Sequence, residues 1–163
     1  MEIREATRAD YPDIGLLIME WAPEAGNGYI HRKKPVSDRE FVAEEAGVIL
    51  GWVSGMHTSS AWAMVAECEN QPEGWKCSFI VRMFVAQSSR DSGVGERLLE
   101  AFIADARKWN NNLVLLHMDE TGDAERLRRF YVERKFCFMD PSQEYAGRDP
   151  WILGRVLGRS NMN

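Results

Sequence analysis

The sequence predicts an α/β (α+β) domain: a mixed central sheet of about six or seven strands, flanked by helices. Three observations carry that expectation. Apolar runs of strand length, FVAEEAGVILGWVSG, WKCSFIVRMFVA, LVLLHM and PWILGRVL, alternate with segments of helical period. Their order reads strand, helix, several strands, helix, strand, helix, strand, which packs helices against a sheet. The 163 residues, 45% of them hydrophobic, suffice for one domain over residues 1–163 with a core that needs neither metal nor disulfides.

Each element has its own signal. EIREAT is a short first strand. A helix follows from Asp10, with Asp10 as its cap, Pro12 in its first turn, and Ile14, Leu17, Ile18 and Trp21 along one face. APEAGNGYIHRKKPVSD, rich in Gly, Pro and charge, reads as loop or short helix. FVAEEAGVILGWVSG holds two apolar runs parted by Ala46-Gly47, a hairpin signal. Between Met56 and Cys77 the pattern is less defined, with ENQPEG as a turn tip. WKCSFIVRMFVA is the strongest strand, and a helix then runs to about Lys108 on the stripe Val94, Leu98, Leu99, Phe102, Ile103 and Ala106. Asn110, Asn111 and Asn112 end it; LVLLHM is a strand, AERLRRFYVERK a helix through Leu127, Phe130 and Tyr131, and PWILGRVL the last strand.

Composition narrows the function classes. A net charge of −5 argues against a nucleic-acid partner, which selects for a basic face. No uncharged apolar stretch approaches membrane length, and the opening EIREATRAD lacks the basic and apolar regions of a signal peptide. Cys68, Cys77 and Cys137 are odd in number and loosely spaced, so reduced thiols in a cytoplasmic protein are expected rather than a disulfide framework or zinc site. His31, His57 and His117 lie far apart, and no metal is expected.

The chemistry-bearing stretch is RDSGVGERLL, residues 90–99, between the strongest strand and the longest helix. A P-loop would end in Gly-Lys-Ser/Thr, whereas Glu96 and Arg97 follow Gly95. A dinucleotide fingerprint would place a third glycine at Leu98. What remains is strand, turn, Arg90-x-x-Gly93-x-Gly95, helix. Bare glycines at a helix start let a phosphate oxygen reach N–H groups that lack intrahelical partners. A tight turn using positive φ explains the same glycines equally well from this stretch alone.

The surroundings break that tie. Met83, Phe84 and Val85 followed by Arg90, Gly93 and Gly95 resemble the signature Arg/Gln-x-x-Gly-x-Gly/Ala of the GNAT superfamily, the acetyl-coenzyme A-dependent N-acetyltransferases. IREATRADYPDI resembles that family's opening strand and helix, VAEEAGVILGWVSG its hairpin, and RFYVERKFCF its late Phe/Leu-Tyr-x-x-x-Gly-Phe segment. The resemblance covers nearly the whole chain. Two positions depart: Ala124 stands where an asparagine is often found, and Lys135 replaces the glycine before Phe136, implying a lost cofactor contact and a different turn.

The resemblance implies a GNAT-like single domain whose mixed sheet is mostly antiparallel with one parallel strand pair that splays apart, the pantetheine arm of acetyl-coenzyme A pairing with free backbone groups of Met83, Phe84 and Val85. It implies a pyrophosphate on the N–H groups of Asp91, Ser92, Gly93, Val94, Gly95 and Glu96, with Arg90 as a nearby cation. It also implies Tyr131 as the acid that meets the departing thiolate; on an isolated helix the same tyrosine reads as core. The acceptor amine must lose a proton, and Asp119 is the candidate base, with Glu120 and His117 nearby. Glu20, Glu24, Glu67, Glu69 and Glu73 could draw a cationic amine, and Trp21, Trp62 and Trp75 could wall its pocket; solubility and core packing explain the same residues. The expected activity is acetyl transfer from acetyl-coenzyme A to a primary amine of a small molecule or protein, without metal, in a chain that can pair as a homodimer as family members often do. The competing reading is a coenzyme A-binding sensor or interaction protein with the same fold.

Overall fold

The computed structural model describes residues 1–23, 26, 28, 39–58, 74–118, 124–138 and 152–158. The strands are β1 (Glu2–Glu5), β2 (Arg39–Glu45), β3 (Val48–Met56), β4 (Cys77–Val85), β5 (Leu113–His117), β6 (Cys137–Phe138) and β7 (Ile152–Val156). Among the described residues the helices are α1 (Tyr11–Met19), α2 (Val94–Lys108) and α3 (Ala124–Glu133). The strands hydrogen-bond in the order β1-β2-β3-β4-β5-β7-β6, a mixed sheet of seven, and β4 with β5 forms the parallel pair. The chain divides into two compact units, Met1–Met56 with Val81–Asp105, and His57–Ile80 with Ala106–Asn163. Strand β4 thus contributes residues to both.

In the first unit, β1, β2 and β3 are antiparallel. Ala46 (φ 51) and Gly47 (φ 81) make the hairpin turn, both with the positive φ that a two-residue turn of matching twist requires. Pairing steps from Ala43↔Gly51 to Glu44↔Ile49, so Leu50 is an extra residue on β3. Its carbonyl accepts the N–H of Ala86, just past β4 (2.9 Å). Trp52 points to the face covered by α1, where it joins Tyr11, Ile14, Leu17, Ile18 and Val42 in the core. Gly51, one residue earlier, faces α2: a Cβ there would lie 2.8 Å from Leu98 Cδ1, 2.9 Å from Val94 Cγ1 and 3.0 Å from the Phe84 carbonyl. The two helices therefore cover opposite faces of β3. The expected α2 stripe is fully buried, Val94 at 2% exposure and the other five residues at 0%.

Asp10 departs from its expected role. No side-chain cap bond joins it to α1. A 3-10 turn, Arg8–Asp10, intervenes with Thr7 at its N-cap, and the Asp10 carboxylate turns back to accept the N–H and hydroxyl of Thr7 (2.7 and 2.9 Å). Arg4 of β1 donates to both of its oxygens (2.8 and 2.7 Å), and the Arg4 Nε also donates to Glu44 (2.8 Å). A guanidinium fork matched to one carboxylate serves better than a helix-end contact, and it fixes α1 to the sheet edge. A second fork, Arg39 of β2 on Asp105 of α2 (2.6 and 3.1 Å), ties the other face.

In the second unit, β4 and β5 run in register from Cys77↔Leu113 to Ile80↔Leu116. The three asparagines before β5 divide the work. Asn110 takes the left-handed conformation (φ 58) that closes α2, and its N–H donates to Arg107 O (2.9 Å). Asn111 N–H donates to Ala106 O (3.0 Å), completing a Schellman closure. The Asn111 amide donates to Ser78 Oγ (2.7 Å) and Cys77 O (3.1 Å). Asn112 behaves as an added peptide unit: its Oδ1 accepts the Lys76 N–H and its Nδ2 donates to Gly74 O, both 2.8 Å. Ser78 also meets buried His57 Nδ1 (2.8 Å). Burial pushes the Cys77 thiol up to about 11, leaving it protonated and unreactive at neutral pH.

The Arg4 fork, helped by the Thr7 donors, holds the Asp10 carboxyl down at about 2 despite its burial. A depressed folded-state value contributes stability above the unfolded carboxylate range near 4 and loses it as pH falls toward 2. Asp10→Asn is expected to cost about 2 kcal/mol at pH 7. Denaturant titrations of both proteins should show that difference shrinking below pH 4 and vanishing near pH 2.

Candidate active site

The residues of the glycine stretch fold into a helix-start cradle. After β4, a 3-10 turn at Gln87–Ser89 leads through Arg90 to Asp91 (φ 60) and Gly93 (φ 84), both left-handed. Gly93 sits one residue before α2, and its carbonyl accepts the Arg97 N–H (3.1 Å), the bond that starts the helix. The N–H groups of Val94, Gly95 and Glu96 precede that bond, so the helix provides no carbonyl one turn behind them. A helix usually answers those donors with a Ser, Thr, Asp or Asn cap. Here the cap position is a bare glycine with nothing within 4 Å of where its Cβ would be. The hydroxyl of Ser92 turns away, donating to Ser89 O (2.5 Å). A helix start without a capping side chain is an anion-binding geometry.

Arg90 and the end of β4 are held by residues that the sequence assigned elsewhere. The Arg90 guanidinium lies 3.8 Å above the ring of Trp21, and Trp21 Nε1 donates to Val85 O (3.2 Å). Trp21 thus belongs to the cradle side, and the Val85 carbonyl is not free as expected: one of its two acceptor positions is taken. Glu20 is likewise committed. Its carboxylate accepts the Gln87 N–H (2.8 Å), and its carbonyl accepts from the Gln87 amide (3.1 Å), so it serves the 3-10 turn rather than an incoming amine. Nothing in sequence spacing signals these contacts between the end of α1 and the segment after β4.

Tyr131 lies on α3 in the second unit and is 7% exposed, while Leu127 and Phe130 of its expected stripe are only half-buried. Its ring meets Phe130 and Phe136 edge-on, at 5.1 and 5.6 Å between centroids. Burial pushes the phenol well above its ordinary value, so it stays protonated throughout the neutral range. Lys135 does not produce a different turn. It adopts φ 66, the conformation glycine would take, and the bonds Lys135 N–H to Val132 O (3.0 Å) and Phe136 N–H to Tyr131 O (3.1 Å) close α3 as Asn110 and Asn111 close α2. Ala124 opens α3. His117 is exposed on β5, and Trp75 is half-buried ahead of β4. Asp119, Glu120, Glu24, Glu67, Glu69, Glu73, Trp62, His31 and Cys68 lie outside the described residues. Among the described residues no three His, Cys, Asp or Glu side chains cluster as a metal site, and no helix is long and apolar enough to cross a membrane.

Comparison with known proteins identifies the family and the fold. The sequence model of the acetyltransferase (GNAT) family matches residues 1–136. The fold is similar to Ard1 from Thermoplasma volcanium, with TM-score 0.65 and 21% identity over 96% of this chain and 97% of that one. It is similar to a ribosomal-protein-alanine N-acetyltransferase from Brucella melitensis, with TM-score 0.60 and 20% identity over 96% and 100%. It is also similar to N-acetylglutamate synthase from Neisseria gonorrhoeae, solved with coenzyme A and N-acetyl-glutamate, with TM-score 0.67 and 24% identity over 97% of this chain but 35% of that one. No curated protein matches the sequence. A family match over most of the chain, carried on a seven-stranded sheet with its parallel pair at β4 and β5, makes this protein a member of the GNAT acetyltransferase family and an acetyltransferase.

Proposed function

We propose that this acetyltransferase moves the acetyl group of acetyl-coenzyme A to a primary amine, by direct attack of the amine nitrogen on the thioester carbon. The observation that carries the reading is the bare helix start at Gly93, where the helix itself offers no carbonyl to the N–H groups of Val94 and Gly95, with Arg90 as the nearby cation for a pyrophosphate. The pantetheine arm would pair with the backbone of Met83, Phe84 and Val85, adding a strand-like segment to β4. An N–C bond forms and the C–S bond breaks; the sulfur leaves as the coenzyme A thiol by taking the Tyr131 proton, and the surplus proton on the new amide nitrogen returns to the phenol oxygen, so Tyr131 ends as it began. Burial keeps the phenol protonated and its O–H present as a donor, while making it a weaker acid, which ties its proton transfer to the return of the nitrogen's proton. An alkyl ammonium with pKa ~10.4 must first be deprotonated, a handicap of roughly 4.6 kcal/mol at pH 7, and Asp119 is the proposed acceptor of that proton. Names among the similar structures run from an N-acetylglutamate synthase to a ribosomal-protein-alanine N-acetyltransferase, so the acceptor stands at the level of a primary amine.

Three substitutions test the parts separately. Gly95→Val should weaken coenzyme A binding at least about tenfold in a folded protein, the worth of one charge-assisted backbone contact. Calorimetry giving wild-type affinity would return the glycines to turn duty. Tyr131→Phe keeps the ring among Phe130 and Phe136, so acetyl-coenzyme A should bind as before while turnover, screened across amine classes, falls roughly 10²–10⁴-fold. Wild-type turnover in that variant would remove Tyr131 from the acid role. Asp119→Asn should slow the reaction most at neutral pH and recover partly at higher pH, where more amine is already neutral. A pH–rate profile superimposable on wild type would rule Asp119 out.

A further inference from the structure

Trp21 makes two contacts that the cradle itself does not explain. Its ring face carries the Arg90 guanidinium at 3.8 Å, stacked at van der Waals distance. Its ring edge donates through Nε1 to the carbonyl of Val85, the last residue of β4 (3.2 Å). Trp21 itself is 39% exposed, so it is not a core residue held in place by burial. What holds it is the neighbouring tie between Glu20 and Gln87, made through both the carboxylate and the backbone carbonyl of Glu20. Four contacts thus fasten two consecutive residues after α1 to the segment 85–90.

We propose that Trp21 is a positioning residue for the cofactor: its face aims Arg90 at the pyrophosphate, and its edge fixes the Val85 carbonyl beside the pantetheine arm. The inference rests on the phosphate-cradle reading above and adds a residue to it. An arginine on a flexible stem loses rotamer freedom each time it engages a phosphate, and a ring that holds the guanidinium in advance removes part of that cost. The planar guanidinium stacks while its edge N–H groups stay available to anionic oxygens. The indole is uniquely suited to both duties, because phenylalanine offers the face without the N–H, and leucine offers neither.

The test compares coenzyme A with pantetheine, which lacks the pyrophosphate and adenosine, by calorimetry on the full chain. The ratio of the two affinities reports the phosphate half of the site alone. Trp21→Leu should lower that ratio about three- to thirtyfold, the range of a cation–π contact converted at tenfold per 1.4 kcal/mol. Trp21→Phe should keep most of the ratio while weakening both ligands by a common factor. Arg90→Gln should also lower the ratio, and adding Trp21→Leu to it should lower it no further, since Trp21 acts through Arg90. A wild-type ratio in Trp21→Leu beside a lowered one in Arg90→Gln overturns the role of Trp21 alone, as do two effects that simply multiply. A wild-type ratio in Arg90→Gln overturns the inference together with the place of Arg90 in the cradle. Because Trp21 is partly exposed its replacement leaves the core intact, and a far-UV spectrum matching wild type is required of each variant before its affinities are compared.

Discussion

The close approach of α2 to β3 at Gly51 is the constraint on which the cofactor side of the molecule depends. A methyl group there would come within 3.0 Å of Leu98 and Val94 side-chain carbons and of the Phe84 carbonyl together. No rotamer change relieves all three, because one is backbone. The helix therefore rests directly on the sheet at its first turn. That height fixes where the N–H groups of residues 94–96 lie relative to the end of β4, which the same glycine touches through Phe84. A cradle for a diphosphate and an edge for an amide-bearing arm are useful only at a set spacing. The buried stripe from Val94 to Ala106 then holds the helix at that height along its length.

Backbone strain is distributed in a way that fits this arrangement. Among the described residues, four that are not glycine have positive φ: Ala46, Asp91, Asn110 and Lys135. Asn110 tolerates it well, while Lys135 adopts it at a cost of about 1 kcal/mol. Both are followed by the same pair of closing bonds, so α2 and α3 end alike although their sequences there share nothing. The Lys135 strain is offset by the burial of Phe136 at 2% exposure, directly after the turn, against the Tyr131 ring. Orientation of the α3 tyrosine is thus bound to the turn that follows it.

Much of this was legible in the sequence, for identifiable reasons. The α2 stripe, the Ala46-Gly47 hairpin, the main succession of strands and helices along the chain and the helix-start glycines are all local patterns, set by periodicity or by turn chemistry within a few residues. Contacts that depend on the fold bringing distant segments together were not legible. The Arg4 fork on Asp10 looked like an ordinary helix cap because Asp-x-Pro-Asp is read locally, whereas the carboxylate was claimed by an arginine on β1. Trp21 read as part of the apolar face of α1 and as a pocket wall, since its spacing fits both. Its actual partners, Arg90 and Val85, carry no sequence mark of a tryptophan. Lys135 was misread for a different reason: the usual residue is glycine, but conformation is chosen by the closing hydrogen bonds, and lysine can be driven into it.

Asn110, Asn111 and Asn112 also bear on chemical ageing of the protein. Loss of side-chain ammonia turns each amide into a carboxylate of nearly the same shape, and the three sites would feel that change differently. At Asn110 the structure uses only the backbone, and aspartate tolerates the left-handed conformation, so the closure of α2 survives. At Asn111 the lost NH₂ is the donor to Ser78 Oγ and Cys77 O, so a carboxylate oxygen would be pressed against a carbonyl. At Asn112 the oxygen that accepts the Lys76 N–H would remain, but its partner would face Gly74 O as a second acceptor. The start of the parallel strand pair is thus secured by two amides with a shelf life, next to a third whose side chain makes no part of the closure.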